Sequence, residues 1–171
     1  LRQRQMGRSD SAPGACVVAG AHADIAAFQA RMESAGVACR LLHTSHAFHS
    51  AMMEPALAPF RAEVERVPRQ PPRLPVVSTA SGDWLGAEEA CSADYWANHL
   101  RHPVRFATAL ERVLDEPARV LLEVGPRGVL CALARQQPQL RKLGIHAQAS
   151  LGDAPQAEAR LLREAAGALW S

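Results

Sequence analysis

The sequence lacks both an apolar run long enough to cross a membrane and any closely spaced pair of cysteines. A membrane-spanning helix needs about 18 consecutive apolar residues, and no stretch of the chain reaches that length. The four cysteines form no CxxC pair, so they do not indicate a zinc ribbon. Nothing resembles a signal peptide. These absences predict a cytoplasmic protein that keeps its thiols free and does not contact a membrane.

The sequence also lacks an excess of charge of either sign. Nineteen basic side chains oppose 17 acidic ones, which leaves a net charge of +2. That charge is too small to indicate nucleic acid as a partner. The hydrophobic share of 48% is ordinary for a folded protein, and 171 residues suffice for one domain or for part of a larger one. The chain begins with Leu1 rather than Met, and we expect it to be cut from a longer polypeptide.

What the sequence does contain is an alternation of strand-like and helix-like apolar patterns. Residues 1–12 have no apolar period and predict a tail or a fragment edge. Beyond them, short apolar runs predict strands at 15–20, 37–44, 76–85, 119–126 and 145–151. Helical spacing of apolar residues predicts helices at 22–35, 50–67, 93–100, 106–114, 129–133 and 161–169. Strands that alternate with helices indicate the α/β class.

The stretch HTSHAFHS at 43–50 holds three histidines, His43, His46 and His49, spaced three residues apart. Three converging imidazoles could bind a transition metal, although no Asp or Glu falls within the stretch to complete such a site. Alternatively, all three could be ordinary surface or core histidines. A third interpretation makes His49 a general base, since it precedes a predicted helix whose first residue, Ser50, is a capping residue. The helix N-terminus disfavours the imidazolium and would keep that base neutral.

Four motifs occur in a fixed order along the chain. They are APGACVVAG at 12–20, HAFHSAMMEP at 46–55, YWANHLRHPVRF at 95–106 and LLEVGPRGVL at 121–130. Together they resemble the acyltransferase domain of modular type I polyketide synthases. The resemblance covers nearly the whole chain but only the C-terminal half of that domain. It implies a partial acyltransferase fold: the end of a ferredoxin-like small lobe over 13–49, then the C-terminal part of an α/β-hydrolase-like lobe over 50–171.

The resemblance implies an activity as well. Domains of this family move an acyl group from coenzyme A to the phosphopantetheine thiol of an acyl carrier protein, through an acyl-serine ester. It gives His49 the role of the base and places a backbone carbonyl that orients the imidazole at His99. It implies no bound cofactor: coenzyme A arrives as the substrate thioester, and the carrier protein supplies the phosphopantetheine arm. The expected partners are the carrier protein and the neighbouring ketosynthase and linker of a multidomain synthase.

The HAFH form of the motif is associated in this family with malonyl selectivity. Methylmalonyl-selective relatives carry YASH instead, so Phe48 stands where they have serine. Its ring would occupy the volume that an α-methyl group needs, a difference of about 1–3 kcal/mol in such a pocket. By the same resemblance, His46 shapes that pocket.

The sequence has no GxSxG motif, where the family's nucleophilic serine lies. The arginine that binds the malonyl carboxylate also belongs to the part of the domain that is not matched. We therefore expect the chain to be inactive alone. Two further hypotheses stay open: a non-catalytic remnant that docks a carrier protein or synthase domains, and a small metal-binding protein that uses His43, His46 and His49.

Two positions depart from the family pattern. Ser11 stands where the family usually has Asn before Ala–Pro–Gly. The order GPRG at 125–128 inverts the usual GPGR, which would strain the turn because Arg127 tolerates a positive φ poorly.

Overall fold

The computed structural model of the chain describes residues 7–115, 120–152 and 155–170. Its elements are short strands and mostly short helices. The strand predicted at 76–85 is wrong, because that segment forms only an isolated antiparallel bridge between Val77 and Trp84. In chain order they are β1 Gly7–Ala12, β2 Ala15–Ala19, α1 His22–Ser34, a 3₁₀ turn Ala51–Met53, α2 Glu54–Glu65, α3 Ala87–Cys91, α4 Ala93–Asn98, α5 Phe106–Leu114, β3 Leu121–Glu123, α6 Val129–Ala134, α7 Pro138–Lys142, β4 Ala147–Ala149 and α8 Pro155–Trp170. None of the described helices is long and apolar enough to span a bilayer.

The first two strands form an antiparallel hairpin. Gly7 lies opposite Ala19 and Asp10 opposite Cys16, with an irregularity in the register just before Ala12. The prediction of a tail over 1–12 is therefore wrong for Gly7–Ala12. A Pro–Gly turn reverses the chain there, so a polar strand gains backbone partners from the apolar strand β2. The first six residues lie outside the described residues.

The strand predicted at 37–44 is absent, and this prediction is wrong. Val37, Leu41 and Leu42 are 51%, 60% and 49% exposed, and no described strand pairs with the segment. A strand needs a neighbour to satisfy its backbone N–H and C=O groups. The apolar run has the composition of a strand, but it has no pairing partner among the described residues.

The predicted helix at 50–67 begins as expected at Ser50. The Ser50 hydroxyl accepts a hydrogen bond from the Met52 N–H, and the 3₁₀ turn that it caps leads directly into α2. Helix α2 packs against α4, and an ion pair between Arg61 and Asp94 joins the exposed sides of the two helices. This pairing holds the segment that follows α4 close to residue 49.

A second sheet and the three helices α5, α6 and α7 supply the main apolar core. Strand β3 runs parallel to β4, with Leu121 opposite Ala147 and Glu123 opposite Ala149, and helices α6 and α7 connect them. A parallel pair joined by helices confirms the α/β class. The core consists of Leu110, Leu114, Cys131, Ala134, Leu140, Ile145 and Ala147. The sequence did not predict α3 or α7, which are only five residues long.

One face of the segment around β3 is not covered. Val120, Leu122 and Val124 alternate along the chain and are 44%, 39% and 83% exposed. Alternate residues of an extended chain point to one side. We refer to these three side chains as the β3 apolar face.

The turn after β3 has the strained backbone that the inverted GPRG order predicts. Arg127 has a φ of +82° and Gly128 a φ of +66°. The Glu123 carboxylate turns back to the start of α6, where it accepts a hydrogen bond of 2.8 Å from the Cys131 N–H.

Candidate active site

The backbone of His49 is held in a left-handed conformation. Its φ is +59°, and its N–H donates a 2.9 Å hydrogen bond to the Leu100 carbonyl. The next residue, Ser50, is fully buried. The Ser50 hydroxyl donates to the Ala47 carbonyl at 2.6 Å and accepts from the Met52 N–H at 3.2 Å. Residues on both sides of His49 are therefore tied down.

A backbone carbonyl holds the imidazole of His49. Its Nδ1 lies 2.8 Å from the carbonyl oxygen of His102. A carbonyl oxygen can only accept, so Nδ1 carries the proton in this hydrogen bond. In the neutral ring, the lone pair then resides on Nε2. The geometry gives His49 one nitrogen that is fixed and one that can accept a proton.

The orienting carbonyl belongs to His102 and not to His99, so the prediction for His99 is corrected. Helix α4 ends at Asn98, and the chain then turns, which brings the carbonyl of His102 rather than that of His99 next to residue 49. A signal for this was present in the sequence. His102 precedes Pro103, and a residue before proline is disfavoured in a helix. Its carbonyl was therefore available to a side chain.

The ring of His99 is packed into the aromatic part of the same motif. Its centroid lies 4.8 Å from that of Tyr95 and 5.3 Å from that of Trp96. Its Nε2 is buried and has no hydrogen-bond partner. Burial lowers the pKa of His99, and a proton on His49 or on His102 would lower that pKa further. This environment favours the neutral form of His99 beside His49.

A small cavity of about 40 Å³ joins these groups. Its lining consists of His49, Thr79, Ala80, His99, His102, Pro103 and Val104. The hydroxyl of Tyr95 donates a hydrogen bond to that of buried Ser78, which anchors the wall formed by the next two residues. The aromatic motif therefore shapes the cavity beside His49.

The other predicted site residues lie at the surface next to His49. The rings of His46 and Phe48 have centroids 6.0 Å apart, and Phe48 is 42% exposed. His46 Nδ1 lies 2.9 Å from the Ser45 hydroxyl. His43 is also exposed. Across the described part of the chain, no three His, Cys, Asp or Glu side chains come together as a metal site. The metal-binding hypothesis thus receives no support from the structure.

Comparisons with known proteins agree with the four motifs. The family described as "Acyl transferase domain" matches residues 6–164. The chain belongs to this family. A phenolphthiocerol/phthiocerol polyketide synthase protein of Mycobacterium tuberculosis is 38% identical over 127 residues, which are 74% of this chain and 8% of that protein. Polyketide synthase GfsB of Streptomyces halstedii is 42% identical over 125 residues, which are 73% of this chain and 2% of that protein.

Solved structures of acyl transferase domains have the same fold as this chain. The acyl transferase domain of SpnD, solved in complex with a 2-(pent-4-yn-1-yl)malonyl group, superposes with a TM-score of 0.89 at 31% identity. The match covers 96% of this chain and 40% of that structure. The acyltransferase domain of the second salinomycin synthase module gives a TM-score of 0.81 at 32% identity, with 94% and 37% covered. The chain therefore has the mixed α/β fold of polyketide synthase acyltransferase domains and spans about two fifths of it.

Proposed function

We propose that this chain carries the proton-accepting half of a malonyl-selective acyltransferase site in a polyketide synthase. The observation that supports this most is the hydrogen bond from His49 Nδ1 to the His102 carbonyl, which leaves Nε2 free as a base. Among the described residues that line the cavity beside His49, none carries a carboxylate. A neutral imidazole held by a backbone carbonyl is suited to taking and returning one proton per step.

In the proposed reaction, His49 Nε2 removes the proton from a serine hydroxyl while the serine oxygen attacks the thioester carbonyl of malonyl-coenzyme A. The carbon–sulfur bond then breaks, and the leaving thiolate receives that proton from His49. The phosphopantetheine thiol of the carrier protein next gives its proton to His49 and attacks the acyl-serine ester. The serine oxygen leaves and regains the proton. His49 ends unchanged, and no bound cofactor takes part.

The acyl selectivity is proposed to depend on Phe48 and His46. Both side chains stand within three residues of His49, and their rings lie near each other at the surface where the acyl group would enter. A rigid aromatic ring at Phe48 leaves less room for a branched acyl chain than the serine of the YASH form. This arrangement favours malonyl over methylmalonyl.

The attacking serine must come from another segment, because the chain contains no GxSxG motif. We would mix the purified chain with a separately produced acyltransferase segment that carries GHSxG and measure transfer of labelled malonyl to an acyl carrier protein. Transfer is expected from the mixture and not from either part alone. The His49→Gln variant should lower the rate about 10²–10⁴-fold. His43→Gln is the matched control, since His43 is exposed and the proposed reaction assigns it no step. Equal rates for the two variants would reject His49 as the base.

A second candidate function is non-catalytic docking to a carrier protein or to the neighbouring ketosynthase and linker. The β3 apolar face favours it, because contiguous exposed apolar side chains mark interaction surfaces. The same mixing experiment separates the two proposals. The GHSxG segment must first be shown to be active in its own native domain. If the chain then forms a complex with its partner but the mixture transfers no malonyl, the result would support docking alone.

A further inference from the structure

We infer that strand β1 is a positioning element for His49 and holds both sides of the His49–His102 hydrogen bond. This inference rests on the proposed function only in treating His49 as the base. The sequence of this strand, GRSDSA, is mostly polar and carries no apolar signal. Its role follows from its contacts.

The first contact is made by Gly7 at the start of the strand. A Cβ atom on Gly7 would lie 1.9 Å from the carbonyl oxygen of His49 and 2.9 Å from its carbonyl carbon. No side chain fits at those distances, so the backbone of β1 packs directly on the backbone of His49. Gly14, at the other end of the same hairpin, has nothing within 4 Å of its Cβ position.

The second contact is made by Ser9 and Asp10, further along the strand, with Val104. The Ser9 hydroxyl accepts a 2.9 Å hydrogen bond from the Val104 N–H. The Asp10 N–H donates a 3.0 Å hydrogen bond to the Val104 carbonyl. Val104 lies two residues after His102, whose carbonyl accepts the hydrogen bond from His49 Nδ1. Strand β1 therefore contacts the backbone of His49 at its start. Further along, it contacts the segment at 102–104, which orients the His49 imidazole.

This arrangement sets the distance between the two partners of the hydrogen bond. His49 already has a positive φ, so its backbone needs surrounding contacts to keep this conformation. If β1 moves away, Nδ1 and the His102 carbonyl lose their alignment, and the proton is no longer fixed on Nδ1. None of the residues of β1 touches a reacting atom in this scheme, so they are positioning residues and not catalytic residues.

The test compares Gly7→Ala with Gly14→Ala in the full chain. Nitrogen-15 NMR of labelled histidine reports which imidazole nitrogen carries the proton, and the His49→Gln variant assigns the His49 signal. We expect the wild-type chain and Gly14→Ala to show the Nδ1-protonated form of His49. Gly7→Ala should show a mixture of both His49 tautomers. A Gly7→Ala spectrum identical to that of the wild type would overturn the inference.

A second pair of variants decides the case if circular dichroism shows that Gly7→Ala does not fold. Ser9→Ala removes the acceptor for the Val104 N–H, whereas Ser9→Thr keeps a hydroxyl there. Ser9→Ala should shift the His49 tautomer and Ser9→Thr should not; an unchanged tautomer in both would overturn the inference.

Malonyl transfer is measured separately. A mixture that transfers nothing while the Gly7→Ala effect is present would reject the proposed function and leave the role of β1 intact.

Discussion

Among the described residues, two that are not glycine have a positive φ, namely His49 and Arg127. Such a conformation costs an L-residue roughly 1–2 kcal/mol. At His49 the conformation places the imidazole against the His102 carbonyl, so the strain lies at the proposed site. Arg127 is exposed, and no hydrogen bond or ion pair of its side chain compensates the cost among the described contacts.

Replacing Arg127 by glycine should therefore stabilise the chain. Arg127→Gly removes the clash at a φ of +82°, and we expect the free energy of unfolding to rise by about 1 kcal/mol, after allowing for the greater freedom of glycine when unfolded. Urea denaturation measures the change. The neighbouring Gly128→Ala is the control, and it should lower the free energy of unfolding. Its Cβ would meet the Ala149 Cβ at 3.3 Å, and its φ is +66°. A loss of stability in Arg127→Gly would contradict this account of the turn.

Replacing Phe48 by serine should relax the acyl selectivity of the completed site. The smaller side chain opens the volume that an α-methyl group needs, and the ratio of methylmalonyl to malonyl transfer should rise roughly tenfold or more. The ratio is measured by competition between the two coenzyme A thioesters in the mixture of the chain with the GHSxG segment. Phe60→Ser, on the exposed side of α2, is the matched control and should leave the ratio unchanged. An unaltered ratio in Phe48→Ser would remove the basis for malonyl selectivity.

At the scale of elements, the start of α6 is stabilised by a carboxylate that comes from strand β3. Burial raises the pKa of Glu123, but hydrogen bonds from the N–H groups of Cys131, Leu130 and Val129 outweigh it, and the net pKa lies below its usual value. These N–H groups belong to the first turn of the helix, where four N–H groups have no partner within the helix. Glu123 thus acts as an N-terminal cap from outside the helix.

This cap should make the stability of the chain depend on pH. The carboxylate of Glu123 has a lower pKa in the folded chain, so it stabilises the fold above the unfolded pKa of about 4.3. That stabilisation disappears as the pH falls through the unfolded pKa towards the folded one. Glu123→Gln should lower the free energy of unfolding at pH 7 by about 0.5–1 kcal/mol. It should also flatten the decline between pH 5 and 3 seen by urea denaturation, and an equally steep decline in the variant would reject this role.

The elements that the sequence predicted well are those whose signals are local. Ser50 is a capping residue followed by helical spacing, and its helix begins as predicted. Strand β1 carries no apolar signal, since its stability comes from pairing with β2 and from contacts at Val104. The run at 37–44 shows the reverse case, because its composition favours a strand but no described neighbour pairs with it. The base was predicted as His49, but the orienting carbonyl was predicted at His99. Pro103 indicates that the carbonyl of His102 is free of a helix, whereas the turn that brings it to His49 depends on packing in space.

At the scale of the whole molecule, the chain presents apolar surface that its own described residues do not cover. The β3 apolar face and the segment at 37–42 are exposed, while the chain spans only 40% of the length of the solved domain that it matches. Exposed apolar side chains at an unpaired strand edge promote association between chains. We expect the isolated chain to bind hydrophobic dyes and to self-associate as its concentration rises.

A single charge on this surface should reduce that association. Val124 is 83% exposed, so Val124→Lys adds a charge without removing a core contact, and the free energy of unfolding should change by no more than about 0.5 kcal/mol. Light scattering should show less association than for the wild type. Gln139→Lys adds the same charge at an exposed position of α7, which is not part of the β3 apolar face, and should have little effect on scattering. Equal effects of the two substitutions would show that net charge, and not this face, controls association.

The group that orients His49 is part of the main chain, and this has a consequence for how the site can be lost. Replacing the side chain of His102 leaves its carbonyl in place, so most point mutations at this position should spare the hydrogen bond. Adding or removing one residue between Asn98 and Pro103 would instead move the carbonyl by a full peptide unit. The site is thus tolerant of substitution at position 102 and sensitive to a change in loop length. Among related chains, the spacing between the aromatic motif and the proline should be a better indicator of an intact site than the residue found at position 102.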